Sequence, residues 1–436
     1  MKFVQGLNRE ILRLAIPSTF ANITVPLVGI VDTAIVGHVA DVSALGGIAI
    51  GTMLFDLLYW NFGFLRIGTG GMTAQAFGRN DRKETAHILM QSSTIAVGAA
   101  LLIWALQWLF VNIVLSLVPC SPGVDAFARD YFFVRVWAAP ATLLLLTLKG
   151  WFIGMQNTVL PMVCDLVVNG VNIVASYVLA VYTPMGAIGV AYGTVIAQYT
   201  GLAVAAVLLL IRYRYLFPLI NFKECMRWKQ MRRLFVLNSN IFVRSLCFMV
   251  IYVGFTSLAT LYGDNELAIS SIMMKLFLLY SYFLDGFAYA GEALVGRFFG
   301  ERDERQVVQT VKILFVWTVV IDVVSIVVYA AFGNDMLRLM TSQEELIAAA
   351  QPYMIWLILM PLISCFAFIW DGIYVGATAG KDIRNCMIVA AIGFVAGYLC
   401  LAGSLGMQAV YVAYFIHLII RTIYLTFRWK YIRQTI

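Results

Sequence analysis

The chain is a succession of long apolar runs separated by short polar stretches. A helix needs about 20 mainly apolar residues to cross a bilayer, and about twelve of the runs are long enough. Strands of about ten residues with alternating polarity, typical of an outer-membrane barrel, are not part of this pattern. It therefore predicts an all-α polytopic membrane protein, with helices near residues 11–37, 46–68, 86–117, 130–152, 159–182, 187–212, 234–262, 267–291, 308–333, 347–376, 384–403 and 406–427.

The composition agrees with lipid as the solvent of this chain. Of its 436 residues, 62% are apolar and 12% are charged, and the mean hydropathy is +0.87. A soluble domain averages about 25% charged residues, because polar groups must cover most of its outside. The composition therefore excludes a soluble enzyme or binding domain.

The net charge of +7 comes from basic residues that cluster at the start of the first span and after alternate spans. The turns between these clusters, such as 38–43, 182–186 and 263–266, carry almost no Lys or Arg. This asymmetry predicts that both termini are cytoplasmic. Nucleic-acid binding would need the charges on one folded face, so we expect no such partner. The clustered residues are Lys2, Arg9, Arg13, Arg79, Arg82, Lys83, Arg212, Arg214, Lys223, Arg227, Lys229, Arg232, Arg233, Arg297, Arg302, Arg305, Lys381, Arg384, Arg428, Lys430 and Arg433.

Processing, disulfide and metal signals are weak. The first span lacks a small-residue cleavage site, so we expect no removable signal peptide. Of seven cysteines, only Cys120 falls in a predicted outer loop, which argues against an intramolecular structural disulfide. The three histidines, His38, His87 and His417, lack zinc-ligand spacing. We therefore expect no metal and no cofactor besides a coupling ion, H⁺ or Na⁺.

The two halves of the chain repeat one another at an offset of about 222 residues. The matched strings are FGRNDRKE at 77–84 with FGERDERQ at 299–306, LLYW at 57–60 with LLYS at 278–281, and GWFIG at 150–154 with GIYVG at 372–376, the last pair preceded by Pro140 and Pro361. Three matches in the same order predict two similar halves of six spans each.

This organisation predicts an N-lobe over 1–213, a basic cytoplasmic linker over 214–233 and a C-lobe over 234–436. Each half has an even number of spans and so enters and leaves on the same side, which makes the halves parallel repeats. Transporters of this design bind substrate between their lobes and alternate access by rocking them.

Asp32 is the candidate for ion coupling, inside the run PLVGIVDTAIVGH. An ionisable group within a membrane span is costly and marks function. Pro17 and Pro26 can bend this helix. Protonation would remove the charge that attracts a cationic ligand, so one carboxylate can exchange a proton for a drug. In the alternative interpretation, Asp32 only pairs with a buried base, namely Arg66, Arg135 or Lys149.

Besides Asp32, the first half of the chain contains two stripes of polar residues. Asn169, Asn172 and Ser176 share one face of the fifth span, and Thr194 and Gln198 share one face of the sixth. Such stripes either line a hydrated cavity or join helices by hydrogen bonds. The sequence leaves both interpretations open.

Five ionisable residues lie within apolar runs of the second half. Asp285 and Glu292 are seven residues apart and therefore lie near one helix face. One interpretation is a buried ion-pair network that locks the C-lobe; the other is a second ion site or part of the substrate cavity. Asp371 aligns with Lys149, so the halves share a fold but not a chemistry. The five residues are Arg244, Lys275, Asp285, Glu292 and Asp371.

Five strings, which together span almost the whole chain, resemble the MATE (multidrug and toxic compound extrusion) family and specifically its DinF branch. That resemblance implies twelve helices in two six-helix lobes forming a V, and export driven by protons or sodium. The strings are PLVGIVDTAIVGH at 26–38, GFLRIGTGGMTAQAFGR at 63–79, VRVWAAPATL at 134–143, YFLDGFAYAGEALVGRFFG at 282–300 and FIWDGIYVG at 368–376.

The resemblance also implies roles for single residues. Asp32 is similar to the family's first-helix carboxylate, and Asn169 or Asn172 and Thr194 resemble its polar partners. Many members have a second acid where this chain has Ser176. Because this chain lacks that carboxylate, sodium, which prefers several oxygen ligands, is less favoured. In the second half, Asp371 resembles the tenth-helix acid of another branch, while the seventh helix has Arg244 instead of that branch's glutamate.

These observations predict a proton-coupled antiporter that exports organic, cationic amphipathic compounds from the bacterial cytoplasm and works as a monomer. The competing transporter is a lipid-linked precursor flippase, for which Arg66, Arg135 and Lys149 would supply a basic cavity. An intramembrane enzyme is disfavoured, because HExxH, GxSxG and phosphate-loop patterns are lacking.

Overall fold

The structure, a computed structural model, describes residues 2–39, 42–118, 120–341 and 343–436. In these ranges the protein consists of α-helices joined by turns and short 3-10 segments, without strands. The α-helices are α1 Lys2–Val39, α2 Val42–Asn61, α3 Phe64–Gly78, α4 Arg82–Leu117, α5 Pro122–Arg135, α6 Ala139–Gly154, α7 Val159–Val181, α8 Ile188–Tyr213, α9 Phe222–Cys225, α10 Trp228–Ala259, α11 Asp264–Glu301, α12 Glu304–Met340, α13 Glu344–Ala350, α14 Met354–Gly376, α15 Gly380–Leu405 and α16 Gln408–Arg433.

The predicted all-α polytopic fold is confirmed. Among the described residues, eleven helical stretches are long and apolar enough to cross a membrane. The remaining predicted span, near residues 11–37, coincides with α1, which runs continuously through both Pro17 and Pro26. Several of the long stretches combine two helices, for example α5 and α6, whose junction is a 3-10 turn at Val136–Ala138.

Packing divides the chain into two compact units. The N-unit is Phe20–Phe235, and the C-unit combines Met1–Thr19 with Val236–Ile436. These units differ from the predicted lobes in two ways. The first nineteen residues group with the C-unit, although the sequence places them in the N-lobe. The stretch 214–233, expected to be a linker, groups with the N-unit.

Side-chain contacts explain why the start of α1 belongs to the C-unit. Trp317 Nε1 on α12 donates a hydrogen bond to Asn8 Oδ1 at 2.6 Å. Gly286 on α11 has no side chain, and a Cβ built there would lie 2.0 Å from Thr19 Oγ1 and 2.7 Å from the Ala15 carbonyl oxygen. The absence of a side chain therefore lets α11 pack directly on α1.

The stretch 214–233 is held on the N-unit by buried anchors and polar contacts. Leu216 and Cys225 are 3% and 0% exposed, and Gln91 Nε2 on α4 donates to the Cys225 carbonyl at 2.9 Å. Lys83 pairs with Glu224 at 2.7 Å, and its hydrogen bond lowers the pKa of Glu224 from the ordinary value. The predicted linker is therefore a packed part of the N-unit.

The two halves repeat their detailed construction. Asp81 and Asp303 precede α4 and α12, and each accepts a hydrogen bond from the backbone N–H three residues later, at 2.8 and 3.0 Å. Such caps satisfy N–H groups that the first helical turn leaves unbonded. Gly150 and Gly372 bring α6 against α3 and α14 against α11, where an added Cβ would lie 2.1 Å from a carbonyl oxygen in each case.

A stripe of small residues joins α8 to α7. Gly189, Gly193, Ala197, Gly201 and Ala205 recur every fourth residue, so they share one helix face, and all five are buried. Small residues at this spacing let two membrane helices approach closely enough for their backbones to touch. This stripe sets the distance between the two helices that carry the polar residues of the first half.

Gly193→Ala is expected to lower the stability of the protein by about 1–3 kcal/mol, the usual effect of overpacking. A Cβ at Gly193 would lie 2.5 Å from Ser176 Oγ and 2.6 Å from the Ser176 backbone nitrogen. The control is Gly170→Ala on α7, where nothing lies within 4 Å; alanine should leave the stability unchanged or raise it, since it favours helices. Thermal unfolding in detergent measures both, and equal changes would contradict the close contact.

Candidate functional site

Asp32 lies on α1, in the part of that helix that belongs to the N-unit. Its carboxylate is within interaction range of the Ser176 hydroxyl on α7 and of the Arg135 guanidinium on α5. Asp32 Oδ1 and Ser176 Oγ are both buried, and neither has a partner at hydrogen-bonding distance and geometry among the described residues. Buried polar atoms are normally satisfied, so this pair is suited to a small ligand such as a proton or a water molecule.

The polar stripes predicted from helical spacing meet beside Asp32. Asn172 Nδ2 on α7 donates to Thr194 Oγ1 on α8 at 3.0 Å, and the Oδ1 of this buried asparagine has no partner in the described part of the chain. Asn169 Nδ2 donates to Thr24 Oγ1 on α1 at 2.7 Å. Gln198 is half-buried, one turn beyond Thr194. Three helices thus bring their polar side chains together.

Arg135 places a positive charge next to this group. Its Nη1 donates to the Tyr131 hydroxyl at 3.0 Å, and the guanidinium carbon lies 4.7 Å from the centre of the Phe55 ring. Arg135 interacts electrostatically with both Asp32 and Asp56. It therefore offsets the negative charge at Asp32 without being that residue's dedicated partner.

Lys149 and Arg66 are the two other bases that were considered as partners for Asp32. Lys149 on α6 forms an ion pair with Asp165 on α7. Arg66 is half-buried on α3. Asp165 was not among the predicted site residues. It is an acid inside the apolar fifth span, just as Asp32 is an acid inside the apolar first span.

In the C-unit, Asp371 lies between two guanidinium groups. Its Oδ2 is 2.5 Å from Arg244 Nη2 on α10 and 2.7 Å from Arg421 Nη2 on α16. Arg421 is only 1% exposed. It was not among the predicted site residues, although it lies within the apolar last span. This arrangement ties α10, α14 and α16 together by charge.

The other three residues of the predicted C-lobe network differ in burial. Lys275 is exposed, Asp285 is half-buried and Glu292 is 1% exposed, all on α11. A further buried acid, Asp322 on α12, also escaped notice in the run VVIDVV; the Tyr280 hydroxyl donates a hydrogen bond to it. In the part of the chain that the structure describes, no group of three or more His, Cys, Asp or Glu could hold a metal.

Comparison with family models identifies the class of protein. The MatE family model matches residues 17–178 and 241–400, one segment in each half and most of the chain together. The chain belongs to the MatE family. Members of this family are multidrug and toxin efflux transporters. The predicted family is therefore confirmed, and so is the prediction that the protein is a transporter and not an enzyme.

Individual MatE relatives agree with this assignment. DNA damage-inducible protein F of Escherichia coli K12 is 34% identical over 434 residues, covering 99% of this chain and 94% of the relative. The probable multidrug resistance protein NorM of Thermotoga maritima is 20% identical over 349 residues, covering 79% and 74% of the two chains. The predicted DinF branch is therefore confirmed as well.

Solved structures of membrane transporters share the fold over the full length. A MOP superfamily transporter from Pyrococcus furiosus superposes with a TM-score of 0.88 at 17% identity, covering 100% of this chain and 99% of the other. The Vibrio cholerae MATE transporter VcmN, in its bent form, gives a TM-score of 0.87 at 14% identity, with 100% and 98% coverage. At these identities the likeness concerns the fold alone.

Proposed function

We propose that this MatE-family protein is a proton-coupled antiporter that exports organic, cationic amphipathic compounds by alternating access. The observation that carries the proposal is the Asp32 carboxylate, whose Oδ1 is buried and lies within interaction range of the buried Ser176 hydroxyl, while neither atom has a hydrogen-bond partner among the described residues. A membrane protein rarely keeps an ionisable group in such a position unless the group is used.

The setting of Asp32 favours a proton over sodium. A hard cation prefers several oxygen ligands, and position 176 supplies a neutral hydroxyl instead of a second carboxylate. Arg135 interacts with the same carboxylate, and its positive charge opposes the binding of either cation. A proton needs only one carboxylate oxygen, so it does not depend on the further oxygen ligands that sodium would require.

Exchange follows from the competition between two positive species for one carboxylate. When Asp32 is ionised it attracts a cationic substrate, and when it is protonated that attraction is lost. A one-unit pH gradient supplies about 1.4 kcal/mol per proton, and a 100 mV potential about 2.3 kcal/mol per charge moved. Proton entry on the outer side would thus release the substrate there.

We also propose that the protein resides in the bacterial cytoplasmic membrane with both termini in the cytoplasm. The support is the alternation of basic and charge-poor connections along the chain. The 34% identical relative is likewise a bacterial protein. We expect the monomer to be sufficient, and neither nucleic acid nor a resident cofactor to be required.

A lipid-linked precursor flippase is the second candidate, and the half-buried Arg135 beside Asp32 is the observation in its favour. A pyrophosphate group would need several unpaired cations. Lys149, one of the three bases that could form such a cavity, is neutralised by Asp165. This pairing makes the flippase the weaker proposal.

Efflux of a fluorescent organic cation from proteoliposomes tests the proposed function. The pH gradient and the sodium gradient are imposed separately, and an ionophore that collapses each gradient is the control. We expect the pH gradient alone to drive efflux. Efflux driven only by sodium would overturn proton coupling, and no efflux under either gradient would direct the next assay to lipid-linked substrates.

A further inference from the structure

Asp322 is a buried acid that the proposed coupling at Asp32 does not use. It stands in the middle of α12, a helix of 37 residues, and is 4% exposed. On α12 itself, the nearest ionisable side chains in sequence are Tyr329 and Lys312, seven and ten residues away. The Tyr329 hydroxyl donates instead to the Leu276 carbonyl at 2.9 Å. Asp322 is therefore buried, and the other ionisable groups of its own helix are about two or more turns away.

The partners of Asp322 on neighbouring helices are uncharged. The Tyr280 hydroxyl on α11 donates to its Oδ1 and also lies 3.4 Å from the Pro361 carbonyl oxygen on α14. The Cys365 thiol on α14 interacts with the same carboxyl group. The Ser364 hydroxyl next to it donates to the carbonyl four residues earlier at 2.6 Å. A hydroxyl and a thiol, rather than a guanidinium or an ammonium, surround this acid.

Several charged groups on the helices packed against α12 are paired, exposed or distant along their own helix. Asp371 on α14 is paired with two guanidinium groups, and Lys275 on α11 is exposed. Asp285 and Glu292 lie farther along α11 than Tyr280, by about 7.5 and 18 Å of helix rise. On α13, the two glutamates at 344–345 are exposed. The local surroundings of Asp322 therefore suit a neutral acid better than a bare carboxylate, whose burial is costly without a cation.

The N-unit provides an internal comparison, because the halves are repeats. Tyr59 and Pro140 occupy the positions of Tyr280 and Pro361 in the repeated strings. The caps of α4 and α12 align Asp322 with Ala100, which is 1% exposed. The six-helix fold thus forms in the first half without an acid at this place. The fold alone does not explain the carboxyl group in the second half.

We propose that Asp322 is a second proton-binding site, located in the C-unit, whose protonation redirects the Tyr280 hydroxyl towards the Pro361 carbonyl. In the ionised form, Tyr280 donates its hydrogen to the carboxylate. When a proton from water binds to Asp322, the new O–H donates to the Tyr280 oxygen, and the tyrosine hydrogen turns to the carbonyl 3.4 Å away. Only one O–H bond forms, and the negative charge disappears.

Pro361 links this proton to the shape of α14. A proline inside a helix removes one backbone hydrogen bond and is a common position of bending. In the proposed mechanism the carbonyl of Pro361 accepts this hydrogen bond in only one protonation state. The two states therefore differ in their contacts at the proline. A ligand can shift a conformational equilibrium only through such a difference. The site is therefore placed to couple proton binding to the conformation of α14.

Infrared difference spectroscopy of the purified protein during a pH titration tests this inference without any transport assay. We expect a C=O stretching band of a protonated carboxylic acid, sensitive to deuterium exchange, that is lost in Asp322→Asn. Asp335→Asn, which changes an exposed acid on the same helix, should leave the band unchanged. An identical band in wild type and Asp322→Asn would overturn the proposal.

Tyr280→Phe is the second variant, and it keeps the acid in place in case Asp322→Asn does not fold. Tyr280 donates to the ionised carboxylate, so its loss should tighten proton binding about tenfold or more, as expected for a hydrogen bond to a charged group. The band should also shift in frequency. If the midpoint of the pH titration and the frequency of the carboxylic-acid band were both unchanged, the proposed redirection of the Tyr280 hydroxyl would be contradicted. This holds whether or not the protein exports cations through Asp32.

Discussion

Asp32→Asn is expected to reduce pH-driven efflux to the rate of protein-free liposomes while the protein remains folded. Asparagine has nearly the shape of aspartate but neither binds an exchangeable proton in this pH range nor attracts a cation. Asp32 Oδ1 has no hydrogen-bond partner among the described residues, so the substitution breaks no hydrogen bond of that atom there. It removes the charge that interacts with Arg135, but Arg135 keeps its interaction with Asp56. The effect should therefore appear in coupling and not in stability.

Efflux and thermal unfolding are measured on the same preparations of Asp32→Asn. Asp130→Asn, which neutralises an exposed acid on α5 of the same unit, is the matched control and should transport at the parental rate. Efflux by Asp32→Asn at the parental rate would remove Asp32 from the coupling mechanism. A large fall in its unfolding temperature would show instead that the carboxylate is a structural partner of Arg135.

Asp371→Asn should destabilise the C-unit by about 3–5 kcal/mol, the usual cost of breaking a buried ion pair. The substitution leaves two guanidinium groups without their shared counter-ion. Arg421 is 1% exposed, and its Nε and Nη1 have no hydrogen-bond partner among the described residues. The measurement is thermal unfolding in detergent, together with the yield of monodisperse protein.

The control for Asp371→Asn is Asp382→Asn. Asp382 pairs with Arg428 at 2.8 Å, but that arginine is 44% exposed, so water can replace the lost partner and the stability should barely change. Adding Arg421→Met to Asp371→Asn should recover part of the loss, because it removes one of the stranded charges. Equal stability of the two single variants would refute a buried electrostatic role for Asp371.

The helices of this protein could be predicted from sequence because lipid imposes a simple rule on length and polarity. The polar group around Asp32 was predictable for a related reason: Asn172 and Ser176 are four residues apart and must share a helix face. Their meeting with Thr194 on α8 depends on the small-residue stripe that holds the two helices together.

Charge partners were harder to predict than helices. Asp165, Asp322 and Arg421 each lie in an apolar run, so the criterion that selected Asp32 applies to them too. Their partners come from other helices, however, and sequence spacing carries no information about which helices touch. Lys275 shows the opposite problem: an apolar run does not reveal which face of a helix is buried, and this residue is exposed.

The division of α1 between the two units also determines the order in which the protein can be assembled. Residues 2–19 are synthesised long before α11 and α12, whose residues Gly286 and Trp317 they contact. At about 5–20 residues per second, the delay is on the order of ten to fifty seconds. During that time the N-unit can complete its packing, but the start of α1 has no native partner. The earliest part of this chain to be made is thus among the last to reach its final contacts, and the membrane or the insertion machinery must hold it meanwhile.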